Sequence, residues 1–196
     1  MIPAEVLEKA GAKTIQLPKD TFLFMEGDQA THFFQVKTGK VKMVNLNEDG
    51  KEFVQGFFED AQSFGEPPLF NQSAYPASAY TDRETSFYKL PREAFIEILR
   101  SHFDLHLKFT TKLAHRMMYK AMMMKEISSH APEHRILTFI DYIKNESGSA
   151  EKPFTVNLTR QQMADLLGIR VETIIRSVKN LADQGELSIV ARKIIR

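Results

Sequence analysis

No cysteine occurs in the 196 residues. That absence excludes disulfides, thiol redox switches, Cys-ligated zinc and thiolate-held iron–sulfur clusters. Apolar runs fall far short of the ~20 residues that span a bilayer, so no membrane partner is expected. The opening MIPAEVLEKAGAK lacks the hydrophobic stretch of a secretory leader, and a cytoplasmic location is the expectation. No Ser-His-Asp, Cys-His, Walker or zinc-hydrolase pattern is visible, and nothing organises two catalytic carboxylates. The chain is therefore not read as an enzyme. Internal repeats and low-complexity tracts are missing too.

What is present suits one large domain or two small ones. Hydrophobic residues make up 43%, enough for ordinary cores, and charged residues 26%, as in soluble proteins. The formal net charge of +1 conceals a gradient. Residues 1–60 hold seven basic against ten acidic side chains, whereas residues 151–196 hold eight basic against five acidic. An acidic front and a basic tail fit a sensor joined to a module that meets a polyanion, although offsets of this size also arise by scatter.

From Thr14 to Leu90 the pattern is short and β-like. Phe22-Leu-Phe, His32-Phe-Phe-Gln-Val, Lys40-Val-Lys-Met-Val and Glu52-Phe-Val-Gln-Gly-Phe-Phe are rich in β-branched and aromatic residues. Turn signals separate them: Glu26-Gly-Asp, Thr38-Gly-Lys, Asn47-Glu-Asp-Gly and Phe64-Gly-Glu-Pro-Pro. Closely spaced strands without intervening helices point to an antiparallel sandwich or barrel, here a small β-roll.

The texture changes after Leu90. A stretch opened by Pro91-Arg-Glu-Ala runs to His130 without Gly or Pro. Thr110, Ala114, Met117, Ala121 and Met124 recur at spacings of four and three, one helical stripe that Leu113 and Ile127 would widen. Such a helix can pack on its own β-domain or against a twin. The small residues Ala114 and Ala121 permit close helix approach and favour a dimer seam with Met117 and Met124. The clustered methionines read as adaptable packing rather than a cofactor box. Pro132 interrupts this helix, and a second is expected over 133–144 with Ile136, Phe139, Ile140 and Ile143 on one face. Asn145-Glu-Ser-Gly-Ser-Ala reads as a polar linker.

The strongest signal is C-terminal, at 159–181. Thr159 can cap a helix, and Gln162 three residues later completes a capping box. Met163, Leu166 and Leu167 supply the inward face, and Gly168 permits a tight turn. A second helix is expected over 170–182 with Ile174, Val178 and Leu181 inward. Two short helices joined by a Gly-containing turn form the helix-turn-helix pattern. Its second helix carries Arg170, Val171, Glu172, Thr173 and Arg176 near the exposed N-terminal part, where side chains reach base edges in the major groove. Arg matches guanine through two hydrogen bonds, and Glu accepts from the cytosine amino group. Residues 183–196 read as a turn and a two-stranded wing, with Lys193 near phosphates. The same fold used only for protein contacts is the alternative: an effector-binding module acting through protein partners.

Taken together, Thr159-Arg160-Gln161, Gly168 and Glu172-Thr173-x-x-Arg176 resemble the DNA-binding module of the Crp/Fnr superfamily of bacterial regulators. Gly39, Gly50 and Phe64-Gly65-Glu66-x-x-Leu69-Phe70 sit where that family's β-roll has its glycine turns and ligand loop. The resemblance implies an α+β fold: a β-roll sensor of cyclic-nucleotide-binding type (1–107), a dimerisation helix (108–130) and a winged helix-turn-helix (131–196). It also implies a homodimer on double-stranded DNA, reading an inverted repeat with two helices ~34 Å apart, and RNA polymerase as a further partner. Glu172 and Arg176 would read bases, with Arg170 and Thr173 beside them, and Thr159, Arg160 and Gln161 would contact the backbone. Val171 stands where the cyclic-AMP branch has a third base-reading arginine, and Ile175 where the oxygen-sensing branch has serine, so the half-site need not match either consensus.

The ligand site departs from the family. The resemblance assigns the loop Glu to a ribose hydroxyl and an arginine triplet to the cyclic phosphate. Here Glu66 is present but the triplet reads Ala77-Ser78-Ala79, and the adenine-contacting Thr-Ser pair aligns with Lys120-Ala121. Without its bidentate cation such a pocket loses its strongest contact. Arg83, six residues on, is a weak substitute. Cyclic AMP is disfavoured, no cofactor is assigned, and Gly65, Glu66, Ser78 and Lys120 remain candidates for lining an unidentified effector's pocket, with Glu66 more simply a loop-ordering residue. Of six histidines, His102/His106 and His130/His134 have metal-ligand spacing, but Pro132 breaks the second pair's helix. Surface or interface roles are favoured over haem or metal ligation.

Overall fold

At Gly39 the chain turns a corner that no other residue could make. Its φ is +117°, and a Cβ there would stand 2.6 Å from Thr85 Oγ1 and 2.8 Å from the Glu84 carbonyl oxygen. Strand β3 (His32–Thr38) ends on one side of it and strand β4 (Lys40–Leu46) begins on the other, in a different sheet. The computed structural model describes residues 1–46, 52–148 and 153–196, which divide into units Met1–Ala114 and His115–Arg196. The Asn47-Glu-Asp-Gly turn with Gly50, and the end of the linker at 149–150, lie outside the described residues.

The first unit is the expected β-roll. Its other strands are β1 (Lys13–Leu17), β2 (Phe22–Phe24), β5 (Glu52–Glu59), β6 (Ser63–Phe64), β7 (Ser78–Thr81) and β8 (Thr85–Pro91). They form two four-stranded sheets, in the orders β1-β8-β3-β6 and β2-β7-β4-β5, with antiparallel pairings. Phe33, Val36, Val41, Phe64, Phe87 and Leu90 are buried in one apolar core. Aromatic rings dominate it: Phe24 stacks on Tyr75 at 3.6 Å between centroids, and Phe33 on Phe95 at 4.4 Å. Burial pushes the Tyr75 hydroxyl up to about 12. The buried Gln35 amide accepts from Ile2 N at 3.0 Å and donates to Ile2 O at 2.9 Å, anchoring the segment before helix α1 (Ala4–Lys9) without leaving a buried polar atom unpaired.

Helix α2 (Pro67–Asn71) follows the Gly65 loop, and α3 (Arg92–Ser101) follows β8. The chain breaks helical geometry at His102 (φ −131°, ψ 83°), so the long helix α4 (Phe103–Ser129) starts at Phe103, ahead of the 108 that the resemblance implied for the dimerisation helix. It has more than one apolar face. Phe109 is buried, and Leu105 and Leu113 pack on the β-roll core, so Leu113 belongs to this inward face rather than widening the stripe. A second face carries Phe103 (72% exposed), Leu107, Met117 (70%), Ala121 and Met124 (72%), with Ala114 half-buried. Phe103 and Leu107 continue the four-and-three spacing back to the first turn.

In the second unit, α5 (Pro132–Glu146) takes Pro132 into its first turn, where the missing N–H costs nothing. It extends through Asn145 and Glu146, which are helical rather than linker. Helices α6 (Arg160–Leu167) and α7 (Val171–Asp183) close over a core of Ile136, Phe139, Ile140, Met163, Leu167, Ile174, Val178 and Leu181. The wing, β10 (Ser188–Val190) and β11 (Lys193–Ile195), gains a third strand, β9 (Thr155–Val156), in the order β10-β11-β9. Arg196 clamps it: Nε and Nη2 donate to the two carboxylate oxygens of Asp141 at 2.7 and 3.1 Å, and Nη1 reaches Glu186 Oε2 at 3.1 Å. Among the described residues no helix is long and apolar enough to cross a membrane.

Candidate nucleic-acid interface

The entry to α6 is fixed by the capping box expected from its sequence. Thr159 Oγ1 accepts from Gln162 N at 3.0 Å, and Thr159 N donates to Gln162 Oε1 at 3.0 Å. Two otherwise unsatisfied amides are thereby paired. Gly168 closes the helix in the left-handed region (φ +63°), its N–H donating to Ala164 O. Arg170 is then the N-cap of α7 rather than its first helical residue.

Helical periodicity divides α7 cleanly. Ile174, Ser177, Val178 and Leu181 are buried, whereas Arg170, Glu172, Ile175, Arg176 and Lys179 are exposed and Thr173 is half-buried. Glu172 and Arg176 are four residues apart and share one outward face of the helix. Of the residues expected to meet the backbone, Thr159 and Gln161 are exposed and Arg160 is half-buried, its burial drawing the guanidinium below its usual value. Gln161 Nε2 is tied to Asp165 Oδ1 at 2.7 Å. Lys193 is exposed at the wing, next to Ala191 and Arg192, whose φ angles of +47° and +66° form the wing's reversal.

One residue that pattern reading passed over anchors the buried side of this helix. Ser177 is buried at 1% exposure, and its hydroxyl donates to Glu133 Oε1 at 2.7 Å, tying α7 to the first turn of α5. That hydrogen bond, a backbone N–H and the nearby Arg176 charge hold the Glu133 carboxyl below the usual carboxylate range, against burial's opposing pull. The signal in the sequence was a serine set among Ile174, Val178 and Leu181 at an inward position.

The β-roll candidates are dispersed in role. Gly65 has φ +70°, and a Cβ would meet Phe24 Cζ at 3.0 Å and Tyr75 Cε1 at 3.2 Å, so the loop lies tight under the aromatic stack. Glu66 is 1% exposed and accepts a short hydrogen bond from the Ser63 hydroxyl. Ser78 is buried, its hydroxyl accepting from Glu26 N at 2.9 Å, between the buried Ala77 and Ala79. Lys120 lies on α4 in the second unit, with burial lowering its ammonium pKa and Arg116 adding to the effect. Arg83 Nη2 donates to the Gly39 carbonyl at 3.0 Å. His102 and His106 are exposed. Pro132 does end the helix between His130 and His134, yet the turn stacks their rings at 4.0 Å between centroids beside Glu126, a carboxylate that the spacing did not single out.

A β-roll, a long helix and a winged helix-turn-helix in one chain define a sensor-coupled DNA-binding regulator. Comparison with known proteins agrees. Residues 14–102 match the cyclic nucleotide-binding domain and residues 134–196 the Crp-like helix-turn-helix domain. The transcriptional activator protein anr of Pseudomonas aeruginosa is 24% identical over 91% of this chain and 74% of that protein. The cAMP-activated global transcriptional regulator CRP of Haemophilus influenzae is 22% identical over 86% of this chain and 76% of its own. The solved structure of FixK2 from Bradyrhizobium japonicum superposes with a TM-score of 0.73 at 22% identity, covering 94% of this chain and 91% of that one. The chain belongs to the Crp/Fnr superfamily of transcriptional regulators.

Proposed function

We propose that the chain acts in the cytoplasm as a homodimer, paired along the exposed α4 stripe, and presents two copies of α7 to an inverted-repeat promoter site. Arg176 and Glu172 read base edges, with Arg170 and Thr173 at the margin of the contact. Thr159, Arg160, Gln161 and Lys193 meet phosphates, and the DNA-bound dimer engages RNA polymerase. A small-molecule effector other than cyclic AMP occupies the β-roll near Gly65, Glu66 and Ser78. The carrying observation is the exposure of Glu172 and Arg176 on one face of a helix whose opposite face is fully buried.

Selection from a random DNA pool, followed by affinity measurements across salt concentrations, tests this reading. A palindromic preference is expected, with affinity falling steeply as salt rises because neutralised phosphates release counterions. Arg176→Ala should cost ~1–3 kcal/mol and relax one base position per half-site. An unselected pool would overturn the proposal and favour protein partners, for which the exposed Ile175 (54%) and Val190 (60%) offer apolar contacts.

A further inference from the structure

The turn between α4 and α5 gathers three side chains of metal-ligating type, none of which the DNA-reading function uses. Glu126 comes from the end of α4, His130 from the break after Ser129, and His134 from the first turn of α5. One oxygen and two imidazole nitrogens from these residues lie within 4.8 Å of one another. Both histidines direct Nδ1 at a single atom: Glu126 Oε2 is 2.6 Å from His134 Nδ1 and 3.6 Å from His130 Nδ1. The rings are stacked at an interplanar angle of 12°, which aligns the two nitrogens.

Two features of the cluster are costly as they stand. The Glu126 side chain is 7% exposed, so a carboxylate has been taken out of water. His130 Nδ1 is buried and has no hydrogen-bond partner, which is rare for a buried polar nitrogen. A cation held by all three atoms removes both costs. The frame is also rigid, because Arg135 donates from Nε to His130 O and from Nη2 to Ile127 O, each at 2.9 Å, pinning the turn that carries the ligands.

We propose that Glu126, His130 and His134 form a site for a divalent transition cation of the zinc class, bound through the Glu126 carboxylate and both Nδ1 atoms with water in the remaining position. Two imidazoles and one carboxylate are a donor set suited to zinc, cobalt or nickel, and unsuited to calcium or magnesium. Tetrahedral zinc with bonds of about 2.0–2.2 Å separates its ligand atoms by about 3.3 Å, between the two nitrogen–oxygen distances present here. His134 is 54% exposed and opens the site to solvent for the ion and its water. The Thr138 hydroxyl, 3.4 Å from His134 Nδ1, lies at the rim. A bound ion would staple the end of α4 to α5, the helix whose Glu133 holds α7.

The test uses the untagged full chain, stripped of metal with a chelator and titrated with Zn²⁺ by calorimetry. Co²⁺ then serves as a spectroscopic probe of coordination number. One ion per chain with submicromolar affinity is expected, with a rise in melting temperature and the intense visible bands of four-coordinate Co²⁺. His134→Ala, at an exposed position, should weaken binding at least tenfold, and Glu126→Gln should do the same while keeping the side chain's shape. His106→Ala should leave binding intact. Absence of binding at tens of micromolar Zn²⁺, unchanged affinity in His134→Ala, or the weak spectrum of six-coordinate Co²⁺ would each overturn the site. Because DNA is absent from these measurements, their failure is distinct from failure of the DNA-reading proposal.

Discussion

Replacing Ser177 by alanine removes one oxygen from beneath α7 and leaves every exposed side chain of that helix in place. The lost interaction is a hydroxyl donating to an ionised carboxylate at 2.7 Å. Hydrogen bonds to charged groups contribute about 1.5–3 kcal/mol. Glu133 is only half-buried and retains solvent and other donors, so the contribution falls at or somewhat below the bottom of that range, about 1–2 kcal/mol. The hydrogen bond from Ser177 is also the foremost reason that the Glu133 carboxyl lies below its ordinary value. A carboxylate with a depressed folded-state pKa stabilises the fold above its unfolded pKa, and that contribution is lost as pH falls through the folded value. The Ser177→Ala penalty should therefore be complete at pH 7 and fade as the solution is acidified below about pH 4.3. Native-state hydrogen exchange at the buried α7 amides of Ile174 and Val178 measures it locally, avoiding an assumption that both units unfold together. A double-mutant cycle with Glu133→Gln should return a coupling of about 1 kcal/mol. A coupling near zero, or a penalty as large at pH 3 as at pH 7, would refute this account of what holds the reading helix.

Other perturbations probe different parts of the molecule. Gly39→Ala must hold φ near +117° and push its Cβ into the Thr85 and Glu84 backbone, so we expect at least about 3 kcal/mol of destabilisation of the β-roll in urea. Charging the exposed stripe with Met117→Glu and Met124→Glu together should convert a dimer to a monomer in analytical ultracentrifugation. Because both side chains are exposed, helix content should stay the same by circular dichroism. Arg196→Ala abolishes the paired contact to Asp141 and the link to Glu186. It should cost about 1–3 kcal/mol and speed hydrogen exchange in the wing. Cyclic AMP at millimolar concentration should leave the melting temperature unchanged if, as the family resemblance implies, Ala77 takes the place of a phosphate-binding arginine; a rise of several degrees would contradict that reading.

Much of the fold was legible because local chemistry and global architecture agree. Gly39 announces its turn because a side chain there would clash, Gly168 because glycine enters the left-handed region most readily, and Thr159 with Gln162 spells out a helix start. The inward face of α7 follows from spacing alone. What escaped depends on contacts between distant parts of the chain. Nothing local says that Leu113 faces the β-roll while Met117, four residues on, faces solvent, since both suit an apolar stripe. Ser177 reads as an interruption until Glu133, from another helix, comes to meet it. Pro132 ends the helix between His130 and His134, as the sequence indicates, and only the three-dimensional turn brings the two rings together. Strand β9 is two residues long and, among the described residues, pairs only with β11, too short to carry a pattern.

Helix α4 is committed in several directions along its length. Phe109 and Leu113 serve the β-roll core and Met123 the core of the second unit, while Phe103, Leu107, Met117 and Met124 lie on the exposed stripe. Few of its positions are therefore free to drift, and a deep mutational scan should find it less tolerant than its overall exposure suggests. The same arrangement limits dissection. A fragment ending before Phe109 or one starting after Met123 would open a gap in whichever core it kept, so sensor and output are best studied as one piece.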